Sequence, residues 1–201
     1  MDEIVLATRN KHKIEEIKRL LRDLEIKIHS VSDFAHVPEV EEDGDTLEEN
    51  AAKKARTVAL GTKKWALADD TGLEVKHLNG EPGVYSARWA GPECSYKDNN
   101  RKMLRLMKGV PAKKRGAVFS TVIALSDPKG KIFCVKGTVK GHISDKMAGK
   151  NGFGYDPVFV VEKTGKTFAQ MSLEAKNKIS HRGRALVKAK KLIKAVIRGR
   201  G

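Results

Sequence analysis

Ile4-Val5-Leu6-Ala7-Thr8-Arg9-Asn10-Lys11-His12-Lys13 decides how the chain is read. Four apolar residues bounded by polar ones have the length of a short buried strand. After the polar step, apolar positions recur at Ile14, Ile17, Leu20, Leu21 and Leu24, the spacing of an amphipathic helix. Strand, loop and helix in this order predict an α/β fold. The start of such a helix presents free backbone N–H groups and a positive dipole end, to which Thr8, Asn10 and Lys13 add a hydroxyl, an amide and an ammonium. That set suits a phosphate chain, and a polar βα turn without a ligand explains it as well.

Outward from there, a second strand is predicted at 26–31, followed by an acidic stretch at 39–45. Thr46, with Glu49 three residues on, forms a capping box that opens a helix to about residue 60. Residues 65–68 read as strand, Asp69-Asp70-Thr71-Gly72 as its interruption, and 73–78 as a further strand ending at Asn79-Gly80. Ser95 caps a helix bearing Met103, Leu104 and Met107 that Gly109 stops. Residues 117–125 and 131–139 flank Asp127-Pro128-Lys129-Gly130 and pair as a hairpin. A glycine-rich segment at 149–154 leads into a strand at 158–161, and two helices finish the chain, one after Ser172 and one at 184–198. With no internal repeat or linker, residues 1–201 read as a single domain with a mixed sheet.

The 201 residues include 40 Lys+Arg against 25 Asp+Glu, a net charge of +15. A chain of this length buries roughly two-thirds of its unfolded surface, enough to fold without disulfides or a structural metal. Cys94 and Cys134 have no metal or redox spacing, no secretory segment follows Met1, and no run of about 18 apolar residues is present, so a cytoplasmic protein with no membrane partner is expected. The basic excess fits a phosphate-rich partner or a solvated lysine-rich surface. A nucleic-acid-binding protein is the alternative it raises. Against specific nucleic-acid recognition, the lysines are dispersed and no helix-turn-helix, zinc-finger or RNA-recognition signature is present.

Two further places are chemically loaded. Glu39, Glu41, Glu42, Asp43 and Asp45 share one loop, and Asp69-Asp70 end a predicted strand. Adjacent carboxylates need a compensating cation, and hard oxygen donors with phosphate as co-ligand suit Mg²⁺ better than Zn²⁺; a solvated acidic loop and a turn-capping Asp explain them equally. Phe153-Gly154-Tyr155-Asp156 and Ser180-His181-Arg182-Gly183 offer a stacking face and donors for carbonyl oxygens on a base edge, or else core aromatics and a helix junction.

These blocks, with Glu48-Glu49-Asn50-Ala51, Ala68-Asp69-Asp70-Thr71-Gly72-Leu73 and Pro82-Gly83-Val84-Tyr85-Ser86-Ala87-Arg88, occur in an order that resembles the inosine triphosphate pyrophosphatase family over residues 4–190. Thr71 departs from the serine common in bacterial members and keeps the hydroxyl. The resemblance implies an elongated mixed β-sheet flanked by helices, in two lobes around a central nucleotide-binding cleft, assembled as a homodimer. It implies Mg²⁺-dependent hydrolysis of ITP, dITP and XTP to the nucleoside monophosphate and pyrophosphate. Carried onto this sequence, the segment Thr8, Arg9, Asn10, Lys11, His12 and Lys13 would bind the triphosphate, with Lys54 and Thr71 as further contacts. Asp70 would be the catalytic base and bind the metal with Glu41, for which Glu39 and Glu42 are rivals. Phe153 would stack on the purine, Gly154, Tyr155 and Asp156 would complete that wall, and Lys176, His181 and Arg182 would face the base edge. Asp69 is expected to be structural, because strand alternation sends neighbouring side chains to opposite faces. A septum-type nucleotide pyrophosphatase is the nearest enzyme alternative, which the Phe153 and His181-Arg182 blocks disfavour.

Overall fold

A computed structural model describes residues 2–198. The chain runs β1 (Glu3–Leu6), α1 (Lys11–Leu21), β2 (Lys27–Ser30), α2 (Leu47–Thr62), β3 (Trp65–Val75), β4 (Pro82–Gly83), α3 (Tyr96–Leu106), β5 (Gly116–Ser126), β6 (Ile132–Ile143), β7 (Phe159–Val161), α4 (Leu173–Ile179) and α5 (His181–Arg198). The sheet order is β2-β1-β3-β5-β6-β7, with β4 paired to β3. It is mixed: β1 is parallel to β2 and β3, whereas β4 is antiparallel to β3 and β7 to β6. The fold is the α/β class expected, and no helix among the described residues is long and apolar enough to cross a membrane.

The starts of α1 to α4 follow from local signals. Asn10 caps α1, Ser95 caps α3 and Ser172 caps α4, and Thr46 and Glu49 form the expected reciprocal box at the head of α2. Several boundaries differ from the sequence reading, among them that of β6, which runs to Ile143 and not to 139. Residues 69–72 do not interrupt a strand; β3 passes straight through them, and residues 76–78 are a 3₁₀ turn. The two aspartates are tolerated in a buried strand because each carboxylate meets a cation. Helix α5 begins at His181 rather than near 184, so His181 and Arg182 lie in its first turn.

Chain contacts divide the molecule into two units. The first comprises the chain up to Asp70, Thr121–Gly137 and the chain from Arg182 on; the second comprises Thr71–Ser120 and Thr138–His181. The first unit has a core of Ile4 and Leu6 of β1, Ile17 and Leu21 of α1, Leu67 of β3, and Leu186, Ala189 and Ile193 of α5. The apolar stripes of α1 and α5 are thus buried against the strands. In the second, Leu73, Met103, Met107, Phe119, Tyr155, Phe159 and Phe168 form the core, and Phe119 packs edge-on to Phe159 with centroids 5.2 Å apart.

Candidate active site

In the first unit, β3 delivers two adjacent carboxylates to different partners. Asp69 Oδ2 accepts from Arg182 Nε at 3.2 Å and Nη2 at 3.1 Å, and lies 3.2 Å from the Lys13 ammonium. Arg182 Nη1 also donates to Glu16 Oε2 of α1 at 2.6 Å. Asp70 Oδ1 instead accepts from Lys54 Nζ at 2.9 Å, and the same ammonium donates to Glu42 Oε1 at 2.5 Å and to the Asp69 carbonyl at 2.9 Å. All three donors of Lys54 are therefore used. The divergence of Asp69 and Asp70 is the strand alternation expected from sequence.

The electrostatics separate the two aspartates further. Burial pushes the Asp69 carboxyl upward, but Lys13, Arg182 and Lys54 outweigh it and hold the group well below the usual carboxylate range. For Asp70, burial prevails and the nearby Glu42 charge adds to it, so its pKa is raised despite Lys54 and Lys13. Lys54 pays for desolvation but is held charged by Asp70 and Glu42, which raise its pKa. Burial lowers that of Lys13, with Asp69 opposing. The two neighbouring carboxyls are thus shifted in opposite directions, Asp69 down and Asp70 up.

The phosphate segment is arranged differently from the expectation. Asn10 Oδ1 accepts from the backbone N–H groups of His12 and Lys13 at 3.1 and 3.3 Å, so two helix-start donors are already capped. Thr8 is half-buried, and Arg9, Lys11 and His12 are exposed. In the acidic loop, Glu39 and Glu41 are exposed. The carboxylate that shares Lys54 with Asp70 is that of Glu42. Arg182 was assigned to the base edge, yet its guanidinium spans Asp69 and Glu16, with all three groups buried. Glu16 was missed altogether. It lies three residues after Lys13, on the same face of α1, and that spacing was the available signal.

The second unit gathers the expected base-binding residues. Asp156 Oδ2 accepts from the Phe153 backbone N–H at 2.8 Å and from Lys176 Nζ at 2.7 Å. The Lys176 ammonium sits 4.9 Å from the Phe153 ring centroid. Phe153 stays half-buried, so a face of the loop is available, whereas Tyr155 is 3% exposed and donates its hydroxyl to the Ser86 carbonyl at 3.0 Å. Tyr155 is thus a core residue supporting the loop. The His181 ring stacks on Phe119 at 4.1 Å and 9°, and Thr71 is half-buried on β3. Gly152, at φ 74°, has no room for a side chain, since a Cβ there would meet Asp156 Oδ2 at 1.9 Å. Gly152→Ala is expected to detach Asp156 from Phe153 and Lys176 and to cost about 2 kcal/mol or more, the left-handed backbone alone accounting for about 1–2; thermal melts of the two proteins would show it.

Among the described residues no three or more His, Cys, Asp or Glu side chains are arranged to hold a metal ion. Two carboxylates do converge on one cation position, that of the Lys54 ammonium. A pair of hard oxygen donors, with phosphate and water to complete the shell, fits a divalent cation of the Mg²⁺ type.

The sequence profile of the Ham1 family matches residues 4–192. The chain belongs to the Ham1 family. It is 51% identical over 190 residues to a protein of Thermoanaerobacter sp. (strain X514) named dITP/XTP pyrophosphatase, covering 94% of this chain and 96% of that one. Its structure resembles that of a HAM1 protein from Coxiella burnetii, with a TM-score of 0.89, 42% identity and coverage of 97% of this chain and 100% of the other. The Staphylococcus aureus Ham1 protein is similar at a TM-score of 0.86 and 42% identity, over 96% of this chain and 98% of that one. The fold class and the family resemblance read from the ordered motifs agree with these Ham1 relatives. Neither the nucleic-acid-binding alternative nor the septum-type enzyme finds support among them.

Proposed function

We propose that this Ham1 protein hydrolyses dITP, ITP and XTP to the nucleoside monophosphate and pyrophosphate, removing non-standard purines from the nucleotide pool. The observation that carries the reading is half-identity, along nearly the whole chain, to a relative named dITP/XTP pyrophosphatase. Each unit carries residues of its own. The first carries Lys13, Lys54, Thr8 and the α1 start for the triphosphate, together with the carboxylates of Asp70 and Glu42 or Glu41 for Mg²⁺. The second carries Phe153 and Lys176 for the base.

Mg²⁺, when bound, supplies positive charge that offsets the repulsion between a triphosphate and an attacking water. The chain's own work is distinct. Lys54 keeps its proton because Asp70 and Glu42 stabilise it, so it would meet a phosphate oxygen as a cation by exchanging one of its three present acceptors. Asp70, whose carboxylate accepts from Lys54 at 2.9 Å, would take the proton of the attacking water. At the base, a 6-keto purine presents an acceptor where adenine presents an amino donor. The Lys176 ammonium is a donor only, so adenine leaves a buried polar group unpaired, a loss of about 1–3 kcal/mol.

Pyrophosphate release from dITP, XTP, ITP, dTTP and ATP, with and without Mg²⁺, tests this reading. Release is expected with the first three, roughly tenfold or more above ATP in kcat/KM, and only with Mg²⁺ present. A flat profile across all five would overturn it. A cytoplasmic homodimer completes the proposal; a monomer mass by light scattering at assay concentration contradicts the assembly.

A further inference from the structure

We infer that Asn50 is a positioning residue for the carboxylate loop, holding it through the backbone of Gly44 so that Glu42 stands opposite Asp70. The inference rests on the metal-dependent reading above. Asn50 is 1% exposed on α2, and both ends of its amide are used on one residue: Oδ1 accepts from the Gly44 N–H at 2.8 Å, and Nδ2 donates to the Gly44 carbonyl at 3.3 Å. A two-point grip on a single peptide fixes both where the loop lies and how it is oriented.

Gly44 is shaped for that grip. Its φ is not in the left-handed region, so glycine is not required by backbone conformation. It is required by proximity: a Cβ would lie 2.8 Å from Glu49 Cβ and 2.9 Å from Asn50 Oδ1. Glu42 lies two residues before Gly44, and Lys54 lies four residues after Asn50, one turn along the same helix face. The helix therefore presents the clamp and the ammonium together, the clamp holding the loop and the ammonium receiving Glu42 and Asp70 from either side. An exposed acidic loop of like charges would otherwise spread apart; Glu39, Glu41, Asp43 and Asp45 are exposed, whereas Glu42 is half-buried. Residues that orient ligands in this way are worth about 10–100-fold in metal affinity.

Asn50→Ala and Gly44→Ala are the variants. Alanine is the strongest helix former, which keeps α2 intact in the first, and the second presses its new Cβ on Asn50 Oδ1 and Glu49 Cβ at the start of α2. Mn²⁺ titrated into each protein and followed by electron paramagnetic resonance reads cation binding without turnover. Both variants are expected to bind Mn²⁺ about tenfold more weakly than the wild type. Their kcat for dITP should return toward the wild-type value as Mg²⁺ is raised, whereas a merely structural lesion would lower kcat at every Mg²⁺ concentration. Mn²⁺ affinity within twofold of the wild type in both variants, or a kcat loss that Mg²⁺ does not restore, overturns the role of Asn50 and leaves the reading of the site standing. A wild-type protein that binds no Mn²⁺ and releases no pyrophosphate overturns both.

Discussion

Asp70→Asn is expected to lower kcat for dITP on the order of 10³-fold, the scale of losing a positioned base together with a charged metal ligand. The amide has the volume of the carboxylate but neither the negative charge nor a basic oxygen. Lys54 would keep its contacts to Glu42 and the Asp69 carbonyl, so the local structure retains two of three anchors. Stability should move the other way. The folded-state pKa of Asp70 is raised, chiefly by burial, so its favourable contribution is complete only below the unfolded value and is lost as pH rises through the folded one. At neutral pH the ionised group therefore opposes folding, and the amide relieves that opposition. A melting temperature equal to or above that of the wild type, with turnover gone, is the expected pair of results. Near-normal kcat would refute the assignment of Asp70 as base. A sharp fall in melting temperature would show instead that the carboxylate serves mainly as a partner for Lys54.

Arg182→Met carries the second large effect, and here stability is the quantity that moves. The guanidinium joins Asp69 and Glu16, with side-chain exposures of 3%, 0% and 5%. Removing it leaves two carboxylates buried with one partner fewer, a loss of about 3–5 kcal/mol, or on the order of 10 °C in melting temperature for a chain of this size. Were Arg182 simply a base-edge donor, the variant would melt like the wild type and lose only its preference for dITP over ATP. The pH dependence carries the same signature. Asp69 has a depressed folded-state pKa, chiefly through Lys13 and Arg182 acting against burial. Its contribution is therefore full above the unfolded value near 4 and is lost as pH falls through the folded one. The wild type should thus lose stability on acidification below about pH 4 more steeply than Arg182→Met. Denaturation at two pH values separates the cases, and an Arg182→Met protein within about 1 kcal/mol of the wild type would return Arg182 to the substrate.

Much of the local structure was legible because its causes are local. The capping box at Thr46 and Glu49 and the stripe of α1 are set by residues three or four apart, within reach of each other before the chain folds. The passage of β3 through Asp69 and Asp70 was not legible. Two adjacent aspartates read as a break unless the cations that neutralise them are known, and Lys13, Lys54 and Arg182 come from α1, α2 and α5. The choice among Glu39, Glu41 and Glu42 was open for the same reason. Nothing within the loop distinguishes them, and it is Lys54 on the following helix that receives one.

By itself the sequence determined the α/β class, the capped starts of α2, α3 and α4, and the family, since periodicity, caps and the order of short motifs are properties of the chain. Only the tertiary structure decided which charged groups answer to which. A buried charge is stable only beside its counter-charge, and the partners of Asp69 and Asp70 are brought to them by the packing of α1, α2 and α5, at separations up to 113 residues. That packing holds the pKa of one aspartate down and lets burial raise that of its neighbour.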